Sequence, residues 1–109
     1  MLRSIRKILY RSIESKEISY EKLKKMMQKE DAILIDVRSN QEYQEGHLNG
    51  AINIPIYDIE KMIIKIVKNK NDTIILYCSS GHRSKNAKEI LEKLGYNNVF
   101  TLKNGIEII

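Results

Sequence analysis

Hydrophobic and polar positions follow two distinct patterns along this chain. Two short unbroken apolar runs, "AILID" from Ala32 to Asp36 and "TIILY" from Thr73 to Tyr77, carry β-branched residues without in-out alternation, as strands covered on both faces do. "GAINIP", closed by Pro55, and "NNVFTL" near the C-terminus read as further strands, and a short strand-like start stands at Ile18. Elsewhere apolar residues recur at helical spacing. Leu23, Met26 and Met27 follow a Ser19 N-cap with Glu21 in the first turn; the two methionines read as core. Ile59, Met62, Ile63, Ile66 and Val67 mark one face of "YDIEKMIIKIVK", and Ala87, Ile90, Leu91 and Leu94 form a stripe ended by Gly95. Ser39-Asn40-Gln41-Glu42 has the S-x-x-E form of a capping box and opens a short helix that Gly46 can stop. Strands alternating with helices through short connections predict one α/β domain over residues 16–109, with a mainly parallel sheet and helices on both faces.

The first fifteen residues differ. Leu2, Ile5, Ile8, Leu9 and Ile13 share one face of a helical wheel, and Arg3, Arg6, Lys7 and Arg11 take the other, which predicts a basic amphipathic helix over residues 1–15. Those four cations precede the first acid, Glu14, and account for most of the net charge of +5, so the remainder is close to neutral and no nucleic-acid partner is expected. Docking on the domain or on a twin subunit, as a homodimer, is the favoured role for this helix, with an anionic membrane surface as the rival. The basic residues interrupt any continuous apolar stretch, which argues against a cleavable signal, and no run approaches the roughly 20 apolar residues of a membrane span.

The candidate chemistry sits in "YCSSGHRSKNAKEIL". One cysteine cannot form an internal disulfide, and with two histidines in the chain a multi-ligand metal centre is not expected; nothing implies an organic cofactor. The chain reads as intracellular and cytoplasmic. Cys78 directly follows a buried strand, where α/β folds place ligands, and a helix beginning near Ser84 leaves Ser79 to Arg83 as a tight loop that Gly81 lets turn inward. A free cysteine after a buried strand is commonly a small core residue. A core cysteine, however, needs no following loop of Ser, Gly, His and Arg. Loop amides, a helix N-terminus and Arg83 together favour a thiolate, which describes a nucleophile.

At these residues the chain resembles the rhodanese-like domains. "LIDVRSNQEYQEGHLNGAINIP" (Leu34 to Pro55), "YCSSGHRS" and "LGYNNVFTLKNGI" carry the resemblance, which spans roughly Ile18 to Ile106. It implies a three-layer fold and a single-domain sulfurtransferase that moves sulfane sulfur through a persulfide on Cys78, from a small donor to a thiol, to cyanide or to a protein acceptor. It also implies a sulfur-binding loop of Ser79, Ser80, Gly81, His82, Arg83 and Ser84. Arg83 has two open roles, orienting the loop or meeting an anionic donor, while His82 is either a site residue or a solvated residue on the rim. Asp36 and Arg38 are implied to be structural, and His47 to be a hydrogen-bonded turn residue. Asn104-Gly105 stands where the family often has Gly-Gly before a tryptophan; asparagine tolerates the left-handed conformation, so the turn is expected to survive with altered packing at the C-terminus. Ser79 and Ser80 replace the basic residues frequent in thiosulfate-preferring members, which counts against thiosulfate as the physiological donor. Two alternatives remain. One is a persulfide carrier or binding module that delivers sulfur to a partner protein. The other is a cysteine phosphatase, whose C-x-x-x-x-x-R loop is one residue longer than the Cys78 to Arg83 spacing.

Overall fold

The computed structural model describes residues 16 to 108 apart from Glu30; the amphipathic helix expected over residues 1–15 lies outside them. The strands are β1 (Glu17–Ile18), β2 (Ile33–Asp36), β3 (Ile52–Asn53), β4 (Ile74–Tyr77) and β5 (Val99–Leu102), and the helices are α1 (Tyr20–Lys29), α2 (Asn40–Glu45), α3 (Ile56–Ile66) and α4 (His82–Lys93). A 3₁₀ turn, Ile106–Ile108, follows β5. All five strands are parallel, in the order β1-β5-β4-β2-β3. The predicted alternation therefore holds, although "GAINIP" supplies only a two-residue strand at the sheet edge.

Side-chain direction within the strands explains the layers. Successive residues of a strand point to opposite faces. Ile35, Val37, Ile74, Leu76 and Cys78 accordingly join one core with Ile59 and Ile63 of α3 and Ala87 and Leu91 of α4. Leu34, Ile75 and Tyr77 join the other, with Leu23 and Met26 of α1 and with partly buried Tyr43 of α2. Unbroken apolar runs are what a strand with two such faces requires. Ser19 caps α1 by accepting the Lys22 N–H at 3.1 Å. Met26 is buried and Met27 half-buried. The α3 stripe is narrower than its spacing predicts: Ile59, Ile63 and Val67 are buried, but Ile66 is 41% exposed. It is the last residue of the helix, and the chain turns into extended geometry at Val67, leaving its outer flank uncovered. Among the described residues no helix is long and apolar enough to cross a membrane.

One buried hydrogen bond links the two helices on this face. Tyr96, just beyond α4, donates its hydroxyl to the carbonyl of Val67, the C-cap of α3, at 2.5 Å. The phenol is otherwise enclosed, and burial pushes its pKa up. Tyr96→Phe keeps the ring but strands that carbonyl, and is expected to lower unfolding free energy by about 1 kcal/mol. Urea unfolding checks this as a lower midpoint with an unchanged slope.

Candidate active site around Cys78

Cys78 is the first residue beyond β4, and the strand's alternation turns its side chain toward the face covered by α3 and α4, where it is 1% exposed. Gly81 stands at φ +103 in the left-handed region and serves as the N-cap of α4. The helix begins at His82, not near Ser84. A single left-handed residue completes the turn, so His82, Arg83 and Ser84 form the first helical turn, where backbone N–H groups lack intrahelical acceptors. The sulfur takes up two of the freed donors. Gly81 N–H donates to Cys78 Sγ at 3.1 Å and Ser84 N–H at 3.4 Å. Ser84 Oγ lies 3.6 Å from the same sulfur and donates to the Gly81 carbonyl at 3.1 Å. Backbone donors and the positive end of a helix converging on sulfur favour negative charge there.

The far side of the loop is closed by the C-terminal turn. Ile106 N–H donates to Cys78 O and Glu107 N–H to Ser79 O, each at 3.0 Å. Gly105 makes this approach possible: a Cβ built on it would stand 2.1 Å from Ser79 O and 2.6 Å from Cys78 O. Asn104 at φ +62 and Gly105 at φ +69 are both left-handed, so the turn survives the asparagine as expected. Ile106 is half-buried against the α1 core.

Arg83 does not stand free. Its Nη1 and Nη2 donate to Glu42 Oε1 and Oε2 at 2.7 and 2.9 Å, in a two-pronged ion pair from α4 to α2. Ser79 Oγ joins this pair, donating to Glu42 Oε2 and accepting from Arg83 Nη2, both at 3.3 Å. Glu42 also completes the predicted capping box, accepting the Ser39 N–H at 3.1 Å while Ser39 Oγ accepts the Glu42 N–H at 3.2 Å. The Arg83 guanidinium, with help from Ser39, holds the Glu42 carboxyl well below the usual carboxylate range, and Glu42 in turn raises Arg83. Local spacing shows only the capping role of Glu42, because a partner 41 positions away leaves no local pattern. Of the remaining loop residues, Ser80 and His82 are exposed on the rim.

Asp36, Arg38 and His47 sit in a separate framework. Arg38 donates to Asp36 through Nε and Nη2, the latter at 2.7 Å, and to the Gly46 carbonyl at 2.5 Å. Asn53 donates to the carbonyls of Asp36 and Arg38. Tyr77 OH accepts the Leu48 N–H at 3.0 Å, and burial pushes its phenol pKa well up. His47 stacks on Tyr43 at 3.7 Å and its Nδ1 lies 2.8 Å from the Tyr43 carbonyl. These bonds fix the connection from β2 through α2 to β3 and so set where α2 carries Glu42. Among the described residues no group of His, Cys, Asp and Glu could hold a metal ion.

A family profile described as the rhodanese-like domain matches residues 19–108. The chain belongs to the rhodanese-like domain family. Thiosulfate sulfurtransferase PspE of Escherichia coli K12 is 48% identical over 65 residues, covering 60% of this chain and 62% of PspE. "Putative sulfur carrier protein YrkF" of Bacillus subtilis is 33% identical over 91 residues, covering 83% of this chain and 48% of YrkF. The rhodanese-like chain thus spans less than two thirds of either curated relative. The solved human single-domain sulfurtransferase TSTD1 superposes with a TM-score of 0.76 over 85% of this chain and 93% of its own, at 23% identity, a likeness of fold alone.

Two expectations follow for this rhodanese-like loop. Gly105→Ala places a methyl group inside the Ser79 carbonyl and forces an L residue to remain left-handed, so it should destabilise the protein by more than about 1 kcal/mol and loosen the Cys78 loop. Thermal melting and protection of the Ile106 amide from exchange read both effects. The Glu42 carboxyl is depressed in the folded state, so its contribution is complete above its unfolded pKa of about 4.3 and is lost as pH falls below that value. Because Arg83 and Glu42 are 38% and 33% exposed, solvent screening holds that contribution to about 1 kcal/mol or less. The stability gap between wild type and Glu42→Gln should shrink on acidification through this window.

Proposed function

We propose that this domain moves sulfane sulfur through a persulfide on Cys78. The observation that carries the reading is the pair of backbone N–H groups from Gly81 and Ser84 on the sulfur at the head of α4. Hydrogen bonds to a charged group are worth roughly 1.5–3 kcal/mol each, so both donors act on the atom where negative charge develops during sulfur transfer. On ionisation, the Ser84 hydroxyl, 3.6 Å away, can turn its proton from the Gly81 carbonyl to Sγ. Among the described residues no protein acceptor takes the N–H groups of Ser79, Ser80, His82 or Arg83, which leaves them for the outer sulfur of a persulfide.

In the first step the Cys78 thiolate attacks the outer sulfur of a donor. A new S–S bond forms, the donor's own S–S bond breaks, and its electron pair leaves with sulfite or with a thiolate. In the second step an acceptor thiolate or cyanide attacks the outer sulfur and Cys78 leaves as thiolate. Cys78 is the one cysteine in these 109 residues, so no second thiol among them can resolve the persulfide, and the acceptor comes from outside this domain. The phosphatase alternative is weaker, because Ser84 stands where the longer phosphatase loop would carry its arginine, and Arg83, one position earlier, is engaged by Glu42. The carrier alternative keeps the same first step, and similarity to a relative named as a sulfur carrier favours retaining it.

Intact-protein mass spectrometry after incubation with thiosulfate or glutathione persulfide tests the reading. One added sulfur is expected on the wild type and none on Cys78→Ser; loading of the serine variant would refute it. Repeated turnover with cyanide or a small thiol identifies an enzyme, and stoichiometric loading with little turnover identifies a carrier.

A further inference from the structure

A capping box is satisfied by glutamine as well as by glutamate at its third helical position, since each offers an oxygen to the N-cap N–H. The charge on Glu42 therefore exceeds what the start of α2 requires. That charge faces the Cys78 loop. Both carboxylate oxygens meet Arg83, and one also accepts from Ser79 Oγ, the hydroxyl of the residue next to the nucleophile. Ser79 and Ser80 bring no charge of their own to this rim.

We propose that Glu42 is a specificity-determining residue: by holding the Arg83 guanidinium in a two-pronged ion pair, it withholds the cation that a dianionic donor would meet and favours thiol persulfides over thiosulfate. This rests on the sulfur-transfer reading above and names its donor class. Thiosulfate approaches as a dianion and leaves as sulfite, also a dianion, so both reactant and leaving group need positive charge at the mouth. A protonated thiol persulfide, R–S–SH, arrives with no charge on its reacting sulfurs: the Cys78 thiolate bonds its outer sulfur, the S–S bond breaks, and R–S⁻ leaves with the electron pair while the proton stays on the new Cys78 persulfide. Converging charge on the mouth decides between donors through electrostatic complementarity, which acts on selectivity more than on total affinity.

The experiment compares loading rates of the full chain by thiosulfate and by glutathione persulfide, in Glu42→Gln and in Arg83→Gln. Glu42→Gln retains an oxygen for the capping box and releases Arg83, so the thiosulfate-to-persulfide ratio should rise about three- to fivefold, the range of a partly exposed ion pair. Arg83→Gln leaves Glu42 uncompensated and should move the ratio the opposite way. Both shifts should shrink as ionic strength rises. Opposite signs are the decisive feature, because a purely structural clamp would be loosened alike by either substitution. Ratios that stay constant, move in the same direction, or ignore salt would overturn the inference while leaving sulfur transfer in place. Failure of the wild type to load from either donor would instead remove the sulfur-transfer reading, and this one with it. Should one variant not fold, the other decides through the predicted sign together with its loss at high salt, since a structural clamp would give a shift that ignores ionic strength.

Discussion

Everything near Cys78 depends on one constraint: β4 is buried on both faces and flanked on both edges. It pairs with β2 on one side and β5 on the other, and its four residues are fully enclosed. A strand so confined cannot slip by one residue without turning every side chain to the wrong core. The chain therefore leaves the sheet at a fixed point with Cys78 facing α4, and the left-handed Gly81 needs only to reverse direction for the helix N-terminus to meet the sulfur. The site is a consequence of register before it is a consequence of any polar contact.

The loop is then held from two directions with different chemistry. On one side the contact is backbone to backbone, with N–H groups of Ile106 and Glu107 on the carbonyls of Cys78 and Ser79. That wall is insensitive to salt and pH and demands only the absence of a side chain at Gly105. On the other side it is ionic, through Glu42, Arg83 and Ser79. Because Glu42 also caps α2, and α2 is fixed to the buried Asp36–Arg38 pair through the Gly46 carbonyl, the loop's electrostatics are tied to the far side of the sheet. Asp36 and Arg38 are buried and paired with each other, and breaking such a pair leaves an uncompensated buried charge that costs several kcal/mol.

Legibility in the sequence followed the range of the interaction. Elements set by local pattern were readable: the two central strands, the capping box with both of its hydrogen bonds, the α4 stripe, and Cys78 at a strand end. Features set by tertiary contact were not. Spacing lets α4 begin near Ser84, two residues beyond its actual start, because it shows only where a helix can begin, whereas the left-handed geometry of Gly81, packed beside Asn104, decides where it does. Ile66 belongs to the apolar face by angle but lies where α3 runs out. The role of Arg83 is not legible in local sequence because its partner is on another helix, 41 positions away.

The Asn104-Gly105 turn shows how far a departure from a family's pattern can be judged physically. Both residues are left-handed, yet they are not equivalent. At position 105 the missing Cβ would collide with two carbonyl groups, and no side chain fits whatever its backbone tolerance. At position 104 the residue is exposed, so the requirement is conformational only, and asparagine is among the few L residues that meet it at small cost. A glycine at 104 would add freedom to the unfolded chain without improving any contact of the loop. The substitution falls at the position of the pair that can accept it, and the wall behind Cys78 is preserved because the steric demand lies entirely on its neighbour.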